Sequence, residues 1–185
     1  MDIPDDEFII FFVRDPISRY ISGFHSRQRQ GRPRYNIPWS DGERSAFEHF
    51  STPNSLAEAL SDPDEQRRAA ARAAMASITH VKDHFSNWLG SSDYLTSRGD
   101  KILFIGFQEQ LGSDWDVLRE MLGIDRGATL PDDDVRAHRN PKDLPRWLSA
   151  TAQHNLREWY SSDLAIFETC RELRNRTERT ATPPS

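Results

Sequence analysis

The feature that most restricts the fold is the apolar run Glu7 to Val13 (EFIIFFV), which ends abruptly at Arg14-Asp15-Pro16. It is rich in β-branched and aromatic residues and shows no polar alternation. Such a run suits a strand buried on both faces, as in a parallel sheet. A second run of the same kind, Lys101 to Gly106 (KILFIG), follows much later. Between the two lie helical patterns. After the first, Asp15 suits a helix cap and Pro16 the first helical position. Ile17, Tyr20, Ile21 and Phe24 then form an apolar stripe at helical spacing, while Ser18, Arg19, Ser22 and Ser26 lie on the other side. Strands separated by helices imply a parallel α/β sheet. Two strands are too few to make such a sheet stable, so either part of the sheet is missing or the fold has been trimmed, and the chain is expected to be helix-rich.

The rest of the chain predicts mostly helix. Gly31 to Gly42 reads as a loop and Ser45 to Phe50 as a short helix. Thr52-Pro53 opens a helix to Leu60. Asp62-Pro63 opens a longer, alanine-rich one towards Trp88, which would put His80 and His84 four apart on one face. Gly90 to Gly99 is a connection. Ser113 or Asp114 caps a helix that ends at Gly123, and Asp125 to Pro145 is a loop rich in Pro, Asp and Arg. Leu148 to Leu173 is helical in pattern with a break near Ser161-Ser162. One domain over 1–175 and a disordered polar tail over 176–185 are expected. The tryptophans sit mostly at helical apolar positions and read as core; Trp39, after Tyr35 in the loop, either stacks on a sugar or pins the loop.

Charge narrows the functional classes. The net charge is −5, which argues against a general nucleic-acid binder. Yet Arg14, Arg19, Arg27, Arg29, Arg32 and Arg34 crowd one stretch in which Asp15 is the only acid. An acidic chain with one strongly basic segment points to a small anionic ligand. Apolar residues make up 36% of the chain and charged ones 29%, and no apolar run is long enough to span a bilayer. The acidic start lacks the pattern of a secretory signal, and Cys170 is the only cysteine, so a reducing, cytoplasmic setting is expected.

The chemistry is concentrated in Phe12 to Ser26. A buried strand delivers Arg14 to its carboxyl end, where ligands sit in open α/β sheets. The next helix begins there, with its free N–H groups and positive dipole end. Arg14 offers a planar fork and Ser22 a hydroxyl, so both suit a doubly charged phosphate. Arg14-Asp15-Pro16-x-x-Arg19-x-x-Ser22-x-Phe24 resembles the 3'-phosphate-binding motif of sulfotransferases that use 3'-phosphoadenosine 5'-phosphosulfate. Phe104 to Leu111 with Asp114-Trp115 and Leu118 resembles the later strand-turn-helix of the Golgi-type and bacterial carbohydrate sulfotransferases. Trp159-Tyr160 followed by Asp163-Leu164, Ile166-Phe167 and Cys170 resembles the end of those domains.

The resemblance implies a P-loop-NTPase-like parallel sheet flanked by helices. It also implies that Arg14 and Ser22 bind the 3'-phosphate, with Arg19 and Arg139 as weaker cofactor-binding candidates. The reaction it implies is sulfuryl transfer to a hydroxyl, with a carbohydrate as acceptor and no metal. The family's cradle for the 5'-phosphosulfate, Pro-Lys-x-Gly-Thr/Ser-Thr/Ser, has no counterpart in this sequence; Pro141-Lys142-Asp143 lacks the glycine and the preceding strand. The chain is therefore expected to be N-terminally short. The alternative is a non-catalytic fragment or partner-binding scaffold, and exposed sheet edge would favour self-association. His25, His80, His84 and Glu109 are the candidates for a general base. Glu109 more readily orders the turn after the second strand. His80 and His84 with Asp83 fall short of a zinc site, which needs three or four ligands.

Overall fold

The computed structural model describes residues 4, 6–137 and 139–181 of the chain. It is a helix-rich α/β fold with a small parallel sheet, and its contacts divide into two compact units.

The first unit comprises Met1–Pro16, His84–Leu130 and Ser162–Ser185. Its sheet has two strands, β1 (Ile9–Val13) and β2 (Ile102–Phe107), paired in parallel from Ile9 opposite Ile102 to Val13 opposite Phe107. In β1 alternation decides which side chains point inward, while the pairing shifts register between Ile9 and Ile10. Val13, Ile102, Ile105 and Phe107 are buried, with Ile9 and Phe11 against them, and they pack on Phe85, Leu89, Leu95, Ile166, Phe167 and Cys170. Burial raises the Cys170 thiol to about 12, so it stays protonated at neutral pH. The expectation of strands buried on both faces is corrected here. Ile10, Phe12 and Leu103 are 36%, 38% and 43% exposed. Beside β2 lies an apolar hollow of about 440 Å³ lined by Ile102, Phe104, Val117, Met121 and Leu173 among others.

Three further helices of this unit are α5 (Ser86–Leu89), α6 (Ser92–Ser97) and α7 (Leu111–Met121). Ser113 and Asp114 are not caps as expected; they lie within α7, and Asp114 turns back to take the Phe107 N–H at 2.6 Å. Gly123, at φ 63, ends α7 where a left-handed residue is needed. Helix α9 (Ser161–Ala181) continues past residue 175, so the tail placed at 176–185 starts within it; residues 182–185 lie outside the described ones. No helix among the described residues is long and apolar enough to cross a membrane.

The second unit comprises Ile17–Asp83 and Pro131–Ser161. It holds nearly all of α1 (Pro16–Gln28), together with α2 (Asp41–His49), α3 (Pro53–Ala59), α4 (Glu65–Ser77) and α8 (Ala150–Trp159). The predicted stripe of α1 is the core: Tyr20 and Phe24 are fully buried among Phe50, Leu56, Met75, Ile78, Leu156 and Tyr160. The Tyr20 hydroxyl donates to the Pro53 carbonyl at 2.7 Å, and burial holds its pKa well above the usual range. Asn155, also buried, closes the end of α3 by donating to the Ala57 carbonyl and to Ser61 Oγ.

Two expectations change in this unit. Helix α2 begins at Asp41, inside the expected loop, because Ser40 and Glu43 form a capping box. The alanine-rich helix does not run on to Trp88 but stops at Ser77. Ile78 is extended, the Thr79 N–H is taken by the Glu43 carboxylate at 3.1 Å, and His80 sits at φ 71. His80 and His84 therefore do not share a helix face. The tryptophans are less buried than expected, Trp88 being 49% and Trp147 69% exposed.

Candidate functional site

The expected site residues fall in both units. Arg14, Glu109 and His84 belong to the first, and Ser22, Arg19, His25, His80 and Arg139 to the second.

In the first unit, Arg14 follows directly on β1, at the carboxyl end of the parallel sheet. The turn that carries it is held from the neighbouring strand's exit: the Asp15 N–H donates to Glu109 Oε1 at 3.0 Å. Glu109 thus holds the turn after β1, whereas the turn after its own strand was the one expected. The segment bearing Glu109 is fixed in turn by Asp114, which accepts from the Phe107 N–H at 2.6 Å and from Arg174 Nη1 at 2.8 Å. Elsewhere in this unit, His84 Nδ1 lies 3.0 Å from Oδ2 of the buried Asp163, whose Oδ1 takes the Phe85 N–H at 2.6 Å. A histidine oriented through Nδ1 by a buried carboxylate can take a proton on Nε2. Asp163 has the plainer task as well of closing the turn before α5.

In the second unit, Ser22 stands on the polar side of α1, half-buried. Its neighbour there is Asn140, from the late loop. The Asn140 Nδ2 donates to Ser22 Oγ at 3.2 Å and to the Ser22 carbonyl at 3.1 Å. The orientation of that amide is settled by Arg29, whose Nη2 donates to Asn140 Oδ1 at 2.6 Å. Ser22 Oγ therefore accepts from Asn140, which leaves its own hydroxyl proton as a donor. Sequence reading placed weight on Arg139 in this loop. Arg139 is exposed and pairs with Asp134 at 3.2 Å, while the adjacent Asn140 makes the contact to α1. Asn140 and Arg29 were missed because nothing in their spacing ties position 29 to position 140. His138, next to them, lies outside the described residues.

The remaining candidates are engaged structurally. His25 is buried, and its Nε2 donates to the Pro145 carbonyl at 2.8 Å, tying α1 to the late loop. His80 is exposed in a turn whose N–H donates to Asp83 Oδ2 at 3.1 Å. A Cβ added to Gly23 would come within 3.0 Å of the His80 Cβ, so glycine allows α1 to approach that turn. The Arg19 guanidinium lies over the Tyr160 ring at 5.7 Å. Trp39 pins the loop, donating from Nε1 to the Arg27 carbonyl at 2.7 Å and packing on Phe47. No group of three or more His, Cys, Asp or Glu suited to a metal occurs among the described residues.

Comparison with known families agrees with the motif: the model of a sulfotransferase family matches residues 3–168, most of the chain. The chain belongs to this sulfotransferase family. No curated protein and no solved structure matches it. Membership of the sulfotransferase family implies a nucleotide sulfate donor and a hydroxyl acceptor. The matched span includes Arg14, Ser22, Glu109 and Asn140, while Arg174, the partner of Asp114, lies beyond it.

Proposed function

We propose that the protein binds the 3'-phosphate of 3'-phosphoadenosine 5'-phosphosulfate through Arg14 and Ser22, and that it serves sulfuryl transfer to a carbohydrate hydroxyl. The observation that carries the reading is the family match over a segment in which Arg14 follows a parallel strand and Ser22 retains a donor proton. Arginine supplies two parallel donors to a phosphate and the serine hydroxyl a third. In the transfer, the acceptor oxygen bonds to sulfur as the bond from sulfur to the 5'-phosphate oxygen breaks. The acceptor proton passes to a base and adenosine 3',5'-bisphosphate leaves. Such a reaction rests on positioning and on stabilising charge at the leaving group. A P-loop-like sheet and a cytoplasmic setting form part of the same proposal.

Calorimetric titration with adenosine 3',5'-bisphosphate, with adenosine 5'-phosphate as control, tests the reading. Binding should require the 3'-phosphate. Arg14→Ala should weaken it about ten- to a hundredfold, the usual size of a lost charge-assisted pair. Ser22→Ala should have a smaller effect, and Asn140→Ala one in the same direction. Equal binding of the two nucleotides, or a folded Arg14→Ala variant that binds as well as the parent, would end the proposal.

A further inference from the structure

From Phe8 to Val13 the chain carries no polar residue, which is the composition of a strand covered on both faces. One set of β1 side chains is well packed, with Val13 in the core beside Phe85, Leu89 and Phe167. The alternate set is not. Ile10 and Phe12 keep more than a third of their surface exposed, and Phe8, just ahead of β1, more than half. The Phe12 ring reaches across to β2. A Cβ added to Gly106 would fall 2.1 Å from Phe12 Cε1, and the Phe104 ring is 5.9 Å away. Phe8, Ile10 and Phe12 thus make an apolar ridge that ends against Phe104.

Phe104 also stands in the wall of the hollow beside β2, whose volume is about 440 Å³ and whose exposed lining includes Leu103, Val117 and Met121. Ridge and hollow therefore adjoin on one apolar surface. Its six exposed side chains, at roughly 200 Å² each when bare, leave about 500 Å² open to water. A standard interface covers about 800 Å² per partner, of which a little over half is apolar, so this surface supplies about the apolar share of one side. An apolar patch of that size marks an interaction site.

The border carries charges of both signs. The Lys101 ammonium lies over the Phe8 ring at 5.2 Å, and Asp100 lines the hollow. Neither is in an ion pair among the described residues. A ridge with a cation next to a hollow with an acid is complementary to itself. A twofold axis sets each ridge in the other copy's hollow and turns each Lys101 towards the other copy's Asp100. The net charge of −5 disfavours a different apolar occupant, the anionic leaflet of a membrane.

We propose that a second copy of this chain covers this surface in a closed twofold dimer, with Phe8 of each copy entering the other's hollow beside Val117. The dimer gives β1 the second covered face that its composition calls for.

Sedimentation velocity on the whole chain, from about 1 to about 100 µM, tests this. The parent should pass from 21.4 kDa to twice that mass and no further. Phe8→Glu and Val117→Lys, both at exposed positions, should each lose at least about tenfold in dimer affinity, as expected for a charge placed in an apolar contact. Mixed in equal amounts, the two variants should dimerise again. In the mixed pair the introduced carboxylate meets the introduced ammonium, while the other contact keeps Phe8 against Val117. Trp147→Lys, at an exposed tryptophan of the second unit, should dimerise like the parent. Hydroxyl-radical footprinting of the unaltered chain needs no variant: Phe8, Phe12 and Met121 should gain protection as concentration rises, and Trp147 should not. A parent that stays monomeric at about 100 µM overturns the proposal. A dimer that both variants leave intact, or a mass that grows beyond two copies, overturns it as well. If the monomer instead collects on phosphatidylcholine vesicles with the same footprint, the surface faces lipid and the dimer is refuted.

Discussion

Glu43→Ala should destabilise the protein by about 3–5 kcal/mol, the usual result of stripping one partner from a buried ion pair. Glu43 is 2% exposed and takes both forks of Arg27, at 2.7 Å from Nε and 2.7 Å from Nη2. It also accepts the Ser40 N–H at 3.0 Å and the Thr79 N–H at 3.1 Å. One carboxylate therefore joins α1, the start of α2 and the turn that ends α4. The variant would leave the buried Arg27 charge with only the Ile37 and Pro38 carbonyls, and two backbone donors without their acceptor. Replacing both members by Arg27→Met and Glu43→Leu should recover only part of the loss, since the two backbone N–H groups remain unsatisfied. For a chain of this size the single change lowers the melting temperature by roughly 10 °C, at about 2–4 °C per kcal/mol. A variant that melts with the parent would show that the pair contributes no net stability.

The same carboxylate gives the pH dependence. Burial by itself would raise the Glu43 pKa, but the bonds from Arg27, Ser40 and Thr79 outweigh it and lower the value from 4.5 to about 2. A group lowered on folding stabilises the native state above its unfolded value. That contribution is complete above pH 4.5 and is lost as the pH falls towards 2, and it amounts to about 3 kcal/mol. Urea unfolding at a series of pH values should show the gap between parent and Glu43→Gln narrowing over that window. A gap that stays constant would mean that Glu43 does not titrate there.

The second large effect is expected at Asp114→Ala, again about 3–5 kcal/mol. Asp114 is fully buried, and its Oδ2 serves both the Phe107 N–H and Arg174. Arg174 also lies over the Phe107 ring at 5.3 Å, so the end of β2 is gripped twice. Removing the carboxylate frees this end, and with it the segment from which Glu109 holds Asp15 beside Arg14. Loss of stability should therefore come with weaker binding of adenosine 3',5'-bisphosphate at temperatures where the variant is folded. Asp114→Asn keeps an acceptor for the Phe107 N–H and should cost less on both measures. If Asp114→Ala lowers stability yet leaves bisphosphate affinity intact, the link from Asp114 through Glu109 to the Arg14 turn is broken.

How far the sequence reveals this molecule depends on the range of the interaction concerned. Both strands, α1 with its buried stripe and the break before α9 were legible, because apolar periodicity and Asp-Pro are local signals. The capping box Ser40-x-x-Glu43 was also local but lay in a stretch whose prolines and glycines suggested loop. Glu43's larger role depends on Arg27 and Thr79, which no spacing connects. The same holds for the contact of Asn140 with Ser22: the late loop looked relevant, yet the residue that reaches α1 is the one beside the arginine that stood out. The end of α4 was misjudged because alanine-rich helix propensity continues through Ser77, whereas a carboxylate from another helix takes the Thr79 N–H. Tertiary bonds decided where local preference was weak.

The pairing of Ile9 with Ile102 has a consequence for the ribosome. Strand β1 is made well before β2, its only paired neighbour among the described residues, because residues 14–101 lie between them. The helix that covers the inward face of both strands, from Ile166 to Leu173, is made later still. During synthesis the run from Phe8 to Val13 must wait, extended and apolar, while the helices of the second unit emerge. Contacts so distant along the chain form slowly. Nascent chains of this protein should therefore depend on holding chaperones until α9 has left the exit tunnel. A test is to arrest translation at successive lengths and probe the Phe8–Val13 segment with protease; protection appearing before residue 107 is made would show that the strand finds shelter some other way.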